Sequence, residues 1–516
     1  MKNLFTLSFF VCLTSTATLL AADLKPATPF SDHMVLQQGK PVPVWGWADP
    51  GEQISIEFGG QDKTATADAN GKWTVKLDPM PSSAESRRLL IQSKTANRKA
   101  EINDVLVGEV WLGSGQSNMA MSVSRAQNFD AEKAAAKLPL IRVFQETSGV
   151  AESPQPDAKG QWLVCSPEAI ETTAFSATLF FFGRELHREL QIPVGLINSS
   201  VGGTPIESWI DAGVQTRTPE LKEFFSEQSK ARAVVDEEKL KAGYEKSLAQ
   251  WQARAAKAKA AGEPLPRRPR NPLDIKKRKG NIGGLFNGKI APLIPYAIRG
   301  AVWYQGEANA HPGKGQFYQY QLPLLVSDWR SRWGDEFPFA WVQLPNFIRG
   351  SEGWMLVREA ELKTLRLPKT GMAITVDIGE PKNIHPMNKQ EVGRRLSLWA
   401  LGEVYGKKIA ETSGPLPAGH EVRGAEIVLA FTHAAGLQAK NGELKGFVIA
   451  GEDKQWKPAQ AQIEGEKVIV SSPDVKKPVA ARYAWVDNPD CNLYNGAGLP
   501  ASPFRTDDWP VSETAK

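Results

Sequence analysis

A serine that follows a short apolar run is the clearest candidate for catalysis in the sequence. Ser117 lies in the glycine-rich turn of residues 113–119, directly after the apolar residues 110–112. A serine in such a turn presents its hydroxyl to a ligand, and the glycines let backbone N–H groups approach a developing oxyanion. Met119 breaks the Gly-x-Ser-x-Gly pattern of α/β-hydrolases. Taken alone, the turn is compatible with both a nucleophile and an ordinary loop.

Two further polar segments follow apolar runs in the same way. In residues 198–209 a strand-like run leads into Gly202 and Gly203, whose amides suit an oxyanion or another anion. This segment alone is equally consistent with a simple strand–helix turn. In residues 302–309 the side-chain amide of Gln305 can donate a hydrogen bond to a carbonyl oxygen.

A histidine follows a fourth apolar run. His385 lies before a predicted helix over residues 390–405, and it can accept the serine proton because its ordinary pKa lies near neutrality. The other histidines lack this setting at the end of a strand. We expect them to be structural or on the surface: His33, His187, His311, His420 and His433.

The four segments together resemble one family. Gly-Gln-Ser-Asn-Met, Gly-Gly-Thr-x-Ile-Glu-x-Trp, Trp-Tyr-Gln-Gly-Glu-x-Asn and Ile-His-Pro occur in that order. With residues 483–489 and 499–505 they resemble the sialate O-acetylesterase family of the SGNH-hydrolase superfamily. The resemblance covers nearly all of the chain after residue 22, apart from an inserted helical region. It implies a flavodoxin-like three-layer α/β/α catalytic domain with flanking β-sandwich modules. It also implies hydrolysis of acetyl esters on sugars without a metal.

The resemblance also implies roles for individual residues. Ser117 would be the nucleophile and His385 the general base. The oxyanion hole would combine the amide of Ser117, an amide of Gly202 or Gly203, and the side chain of Gln305. We expect four neighbouring polar residues to contact the substrate: Gln116, Asn118, Glu307 and Asn309.

The chain departs from the superfamily at the acid that would orient the histidine. Superfamily members often carry it three residues before the histidine, where this chain has Lys382. Asp377 is the first candidate for a catalytic triad, followed by Glu380 and Glu307. A backbone carbonyl that orients a Ser–His dyad is the remaining alternative.

The candidate residues follow apolar runs that alternate with predicted helices. This alternation is typical of a parallel sheet with helices on both faces, in which ligands bind at the carboxyl ends of the strands. The predicted strands cover residues 107–112, 194–201, 301–304, 339–344 and 372–376.

Changes in pattern predict how the chain is organised. Residues 1–22 are typical of a secretory signal peptide, and residues 23–104 of an N-terminal β-sandwich domain. Residues 105–405 form the predicted catalytic domain, with an inserted helical hairpin and basic loop at 218–280. Residues 406–516 form a predicted C-terminal β-rich domain. We therefore expect export to the periplasm or the extracellular space, with no membrane span after signal cleavage.

The N-terminal segment shows the period-two alternation of half-buried strands. Ile54, Ile56 and Phe58 alternate with other residues, as do the apolar residues of 73–77. Asn-Gly at positions 70–71 predicts a hairpin that leads into this second strand.

Composition excludes several classes of function. The net charge of +5 is small for 516 residues, so no general basic field indicates nucleic acid as a partner. After residue 22 only Cys165 and Cys491 remain, and a disulfide between them is possible in an oxidising compartment. No spacing of histidine or cysteine is typical of a zinc site, so we predict no metal or other cofactor. The oligomeric state is not indicated.

Alternatives remain for the substrate and for the reaction. The acetylated sugar is either a sialic acid or part of a polysaccharide such as acetyl xylan. A glycosidase would need two facing carboxylates, such as Glu307 with Asp377 or Glu380, but it leaves the serine turn unexplained. A binding protein without activity would act through the flanking β-modules, and the intact Ser117 and His385 count against it.

Overall fold

The structure is a computed structural model, which describes residues 23–511 except 174, 234–236, 267, 270, 272–280, 312 and 349. The predicted signal peptide and most of the predicted basic loop therefore lie outside the described residues. Within the described residues, every helix is too short or too polar to cross a membrane.

The N-terminal segment forms two β-sheets. One contains β1, β3 and β6, and the other joins β5, β4, β7 and β8 in that order. The predicted hairpin at residues 70–71 is wrong, because the chain turns there but β5 and β6 belong to different sheets. The strands are β1 (Lys25–Pro26), β2 (Val35–Gln37), β3 (Val42–Trp47), β4 (Gln53–Phe58), β5 (Gln61–Thr66), β6 (Lys72–Leu77), β7 (Ser83–Ser93) and β8 (Lys99–Gly115).

The middle of the chain alternates between strands and helices. The strands are β9 (Leu138–Glu146), β10 (Gly160–Cys165), β11 (Val194–Ser200), β12 (Gly300–Tyr304), β13 (Phe339–Val342) and β14 (Thr370–Ala373). The helices are α1 (Ser117–Ala120), α2 (Phe129–Ala135), α3 (Pro167–Thr172), α4 (Ala177–Leu190), α5 (Ala212–Arg217), α6 (Lys222–Ala233), α7 (Glu237–Ala261), α8 (Tyr318–Trp333), α9 (Glu352–Thr364) and α10 (Lys389–Trp399). Helices α6 and α7 lie within the predicted insertion of residues 218–280.

Parallel strands in the order β11-β8-β12-β13-β14 form the centre of the sheet, so all five predicted strands are confirmed. β9 and β10 extend the sheet beyond β11. Successive side chains along each strand lie in two different hydrophobic clusters. Trp303, for example, lies in the first cluster, and Tyr304 lies in the second. Helices α8 and α9 pack in the first cluster, and α4 and α10 in the second. Both faces of the sheet are thus covered.

β8 connects the N-terminal segment to the central sheet without a break. Residues up to Val107 pair with β7, whereas residues from Glu109 onward pair with β11. The predicted domain boundary at 104/105 therefore lies inside one strand. Residues of the N-terminal sheets and of the central sheet also share one hydrophobic cluster.

The C-terminal segment is built from short strands around a separate hydrophobic cluster. Cys491 packs at this cluster and Cys165 lies in another, and the two thiols are not bonded to each other. The strands are β15 (Leu416–Arg423), β16 (Glu426–Thr432), β17 (Gln438–Ala439), β18 (Phe447–Ala450), β19 (Lys457–Pro458), β20 (Gln460–Glu464), β21 (Lys467–Ser471), β22 (Ala480–Tyr483), β23 (Leu493–Tyr494) and β24 (Phe504–Arg505).

A buried arginine on α9 joins the C-terminal segment to the central sheet. Arg358 donates to the carbonyls of Leu344 and Pro345, which follow β13, and to those of Val486 and Asp487 in the C-terminal segment. Burial lowers the pKa of Arg358 to about 10, so the guanidinium stays charged near neutrality. It therefore supplies hydrogen-bond donors to four carbonyls at the junction of the two segments. Two of these carbonyls also accept a second hydrogen bond within the protein.

We predict that Arg358→Met lowers the free energy of unfolding by at least about 3 kcal/mol, because buried carbonyls lose their donors. Denaturant unfolding followed by tryptophan fluorescence measures this change. Arg366→Met is the matched control: this arginine is exposed two residues beyond α9, and its loss should cost no more than about 0.5 kcal/mol. Equal stability of the two variants would contradict the role of Arg358.

Candidate active site

A glycine places the candidate nucleophile directly beyond the end of β8. Gly115 has φ +135, and a Cβ there would lie 2.2 Å from the carbonyl oxygen of Tyr304. The N–H of Gln116 donates to the same oxygen over 3.0 Å. Because only glycine tolerates this close approach, the chain turns sharply, and Ser117 begins α1 above the carboxyl end of the sheet.

The loop between β14 and α10 brings His385 to Ser117. His385 Nε2 lies 2.8 Å from Ser117 Oγ, although the two residues are 268 positions apart. Asn383 shapes the loop, since its Oδ1 accepts from the His385 N–H and its Nδ2 donates to the His385 carbonyl. Glu380 accepts from Asn383 Nδ2 at 3.0 Å and from the Met387 N–H at 2.7 Å. Glu380 thus holds the loop rather than the imidazole.

Asp377, the expected acid of a triad, pairs with a different residue. Its two oxygens accept from Arg395 at 2.6 and 2.8 Å, and one also accepts from the Tyr494 hydroxyl at 3.1 Å. Among the described residues, no carboxylate forms a hydrogen bond with the imidazole of His385. This corrects the expectation that Asp377 orients His385, because the guanidinium already occupies both carboxylate oxygens.

The surroundings of His385 favour a neutral imidazole. Partial burial lowers its pKa below the ordinary value, and the positive charges of Arg125 and Lys389 lower the pKa further. A histidine with a lowered pKa is unprotonated at neutral pH and can accept a proton. Its imidazole can therefore accept a proton without a hydrogen-bonded carboxylate.

The backbone amides of the serine and of the glycine turn after β11 are candidates for oxyanion donors. A Cβ on Gly202 would lie 3.5 Å from Ser117 Cβ, so the glycine turn after β11 abuts the serine. Within the described part of the chain, the N–H groups of Ser117, Gly202 and Gly203 have no hydrogen-bond acceptor. Amides arranged in this way can stabilise an oxyanion.

Gln305 is not placed as the expected oxyanion donor. Its side chain is fully buried, and its Nε2 donates to Gln116 Oε1 at 3.1 Å, to Asn309 Oδ1 at 2.8 Å and to the Thr204 carbonyl at 3.2 Å. Its Oε1 accepts from the Tyr318 hydroxyl. This corrects the prediction, because the amide hydrogens are already bound within the protein.

The four expected substrate contacts also lie beneath the site. Their side chains are at most 5 % exposed. Gln116 accepts from the Ala308 N–H, and Asn309 Nδ2 donates to Glu207. Asn118 Nδ2 donates to Glu307. The expectation of substrate contact is corrected for these residues: Gln116, Asn118, Glu307 and Asn309.

Two cationic residues at the site, Arg125 and Lys389, are not among the functional residues predicted from the sequence. A signal for Lys389 exists, since it shares the helical spacing of Val392, Leu396 and Trp399, which form the buried stripe of α10. A lysine on a buried stripe at the end of the sheet is a candidate for function. Arg125 is exposed, and its sequence context offers no comparable signal.

No group of three histidine, cysteine, aspartate or glutamate side chains is arranged to hold a metal ion in the residues that the structure describes. The absence of a cofactor stays a prediction.

Comparisons with known proteins agree on one group. The family described as "Carbohydrate esterase, sialic acid-specific acetylesterase" matches residues 107–242 and 288–401. Sialate O-acetylesterase of Rattus norvegicus is 29 % identical over 526 residues, covering 93 % of both chains. That of Homo sapiens is also 29 % identical, covering 93 % of this chain and 91 % of the other. The crystal structure of a carbohydrate acetylesterase from Xanthomonas citri superposes with a TM-score of 0.79 and 34 % identity. It covers 94 % of this chain and 100 % of its own.

We predict that Asp377→Asn keeps kcat for acetate release within about tenfold of the unmodified protein, because the carboxylate does not contact His385. The same change should lower the free energy of unfolding by about 3 kcal/mol, since Arg395 loses one of its two carboxylate partners. Asp490→Asn, which removes an exposed carboxylate, is the control for stability. A folded Asp377→Asn variant that loses activity about 10⁴-fold, as triads of serine proteases do, would restore the triad.

Proposed function

Because the chain belongs to the sialic acid-specific acetylesterase family of carbohydrate esterases, we propose that it removes O-acetyl groups through Ser117 and His385. The chain is thus a carboxylic ester hydrolase that acts on acetylated carbohydrate. The observation that carries the proposed mechanism is the 2.8 Å contact between Ser117 Oγ and His385 Nε2 at the carboxyl end of the sheet. Its central domain is proposed to be a three-layer SGNH-hydrolase domain with flanking β-sandwich modules.

The proposed reaction is acyl transfer in two steps. His385 Nε2 takes the Ser117 hydroxyl proton as Oγ attacks the acetyl carbonyl carbon. The imidazolium then returns the proton to the sugar oxygen as the bond between that oxygen and the acetyl carbon breaks. In the second step His385 deprotonates a water molecule, which attacks the acetyl-serine. Collapse of this second intermediate releases acetate and restores the serine hydroxyl.

The oxyanion of each tetrahedral intermediate is proposed to accept hydrogen bonds from the amides of Ser117, Gly202 and Gly203. Donors that are fixed before reaction need no rearrangement as the charge develops. The positive charges of Arg125 and Lys389 oppose protonation of His385 in the free enzyme. They therefore favour the protonation state in which the reaction begins.

The proposed substrate is an O-acetylated sialic acid, because the curated relatives carry that activity in their names. The Xanthomonas citri structure is described more broadly as a carbohydrate acetylesterase, so acetyl xylan and other acetylated polysaccharides are the alternative substrates. Export to the periplasm or the extracellular space is proposed from the apolar character of residues 4–20.

A glycosidase is disfavoured by the position of its required carboxylates. Glu307 is buried against Asn118, and Asp377 is bound by Arg395. Two carboxylates that face one substrate bond are needed for that reaction. The Ser117–His385 contact also disfavours a binding protein without activity.

We predict that Ser117→Ala reduces acetate release from O-acetylated sialic acid by several orders of magnitude, because the covalent nucleophile is lost. Ser114→Ala is the matched control. Its hydroxyl is buried three residues away and has no hydrogen-bond partner among the described residues, so activity should be unchanged. Both proteins are assayed with and without exhaustive chelation, and we expect no effect of the chelator.

Three results would contradict this account. The first is a folded Ser117→Ala variant that keeps most of its activity. The second is activity that chelation removes and zinc restores. The third is a shortened glycan produced without acetate, which would favour a glycosidase. Acetate release from acetyl xylan but not from acetylated sialic acid would keep the mechanism and change the substrate.

A further inference from the structure

Lys389 is buried at a place where the fold alone gives no reason for a lysine. Its side chain is fully buried at the first residue of α10. A positive charge at the N-terminal end of a helix is opposed by the helix dipole. A buried ammonium also costs several kcal/mol of desolvation, whereas an apolar side chain of similar volume would carry no such penalty. Stability therefore does not explain the lysine.

Lys389 is connected through Asn118 to the segments that carry Ser117 and His385. Its Nζ donates to Asn118 Oδ1 at 2.6 Å and lies 5.0 Å from the centre of the Tyr304 ring. Asn118 is the residue after the serine. Its Nδ2 donates at 3.0 Å to the carbonyl of Ile384, the residue before the histidine. The same Nδ2 donates to Glu307. One buried amide, held by the lysine, thus joins the serine helix to the histidine loop.

We propose that Lys389 is a positioning residue, which acts through Asn118 to fix the position of Ser117 relative to His385. It also places a positive charge near the imidazole. The proposal rests on the proposed function of these two residues. Lys389 does not touch the substrate in this arrangement, since its side chain is fully buried.

The charges around Lys389 determine how its loss would appear in a pH profile. Glu307 and Glu380 raise its pKa, whereas Arg125 and, above all, burial lower the pKa, which is about 7 as a result. Tyr304 faces the same ammonium. On the acidic side of neutrality Lys389 is therefore charged. A charged neighbour lowers the pKa of His385, so removing that charge raises the His385 pKa.

Lys389→Met and Lys382→Met are the test and its matched control. Lys382 lies in the same loop as the histidine, but it is exposed. We expect Lys389→Met to lower kcat about 100-fold with little change in KM, because the reacting groups lose their alignment. The acidic limb of its kcat/KM profile should move to higher pH, because a positive charge that lowers the His385 pKa is lost. Lys382→Met should leave kcat, KM and the profile unchanged.

Lys389→Met behaving like Lys382→Met would overturn the proposal, as would an equal shift of the acidic limb in both variants. If Lys389→Met does not fold, Asn118→Leu replaces it. This variant should lower kcat without moving the acidic limb to higher pH, because the lysine charge remains. An unchanged kcat in Asn118→Leu would also overturn the proposal. Ser117→Ala separates the two hypotheses: if it is inactive while Lys389→Met is normal, only the role of the lysine fails.

Discussion

The hydrogen bond between Ser117 and His385 depends on a loop that crosses the carboxyl end of the sheet. Ser117 follows β8 and His385 follows β14, and both β12 and β13 lie between these strands. Neighbouring strands lie about 4.8 Å apart, so residues 374–388 must reach back over roughly 14 Å. Arg395 anchors the beginning of this loop through Asp377, and hydrogen bonds within the loop hold the part that carries the histidine.

A layer of buried polar side chains beneath the serine fixes the turns that surround it. Gln116 comes from the turn after β8, Glu207 from the segment after β11, and Gln305 and Asn309 from the turn after β12. Buried amides and carboxylates destabilise a fold unless they are hydrogen-bonded, and here they bond to one another. The turns that carry Ser117 and the proposed oxyanion amides are therefore held to one another by hydrogen bonds.

The sequence predicts the strands and the Ser–His pair because both leave local patterns. Ser117 and His385 each follow an apolar run, which indicates that they lie at one edge of a parallel sheet. The roles of Asp377 and Gln305 depend instead on partners far away in the chain, so position at a strand end cannot tell an orienting acid from a structural one. β9 and β10 are missed because their mixed burial gives no clear period. Lys389 can be recognised from the sequence only when its position on α10 is compared with the apolar residues that share its helical face.

The most direct test of the account is the identity of the residue that carries the acetyl group during turnover. The enzyme is mixed with excess acetylated substrate, quenched in acid within the first turnovers and digested for peptide mass spectrometry. The proposed mechanism predicts an added acetyl group on Ser117, and no such adduct in a His385→Ala variant. Acetate release without acetylation of Ser117, or acetylation of another residue in its place, would contradict it.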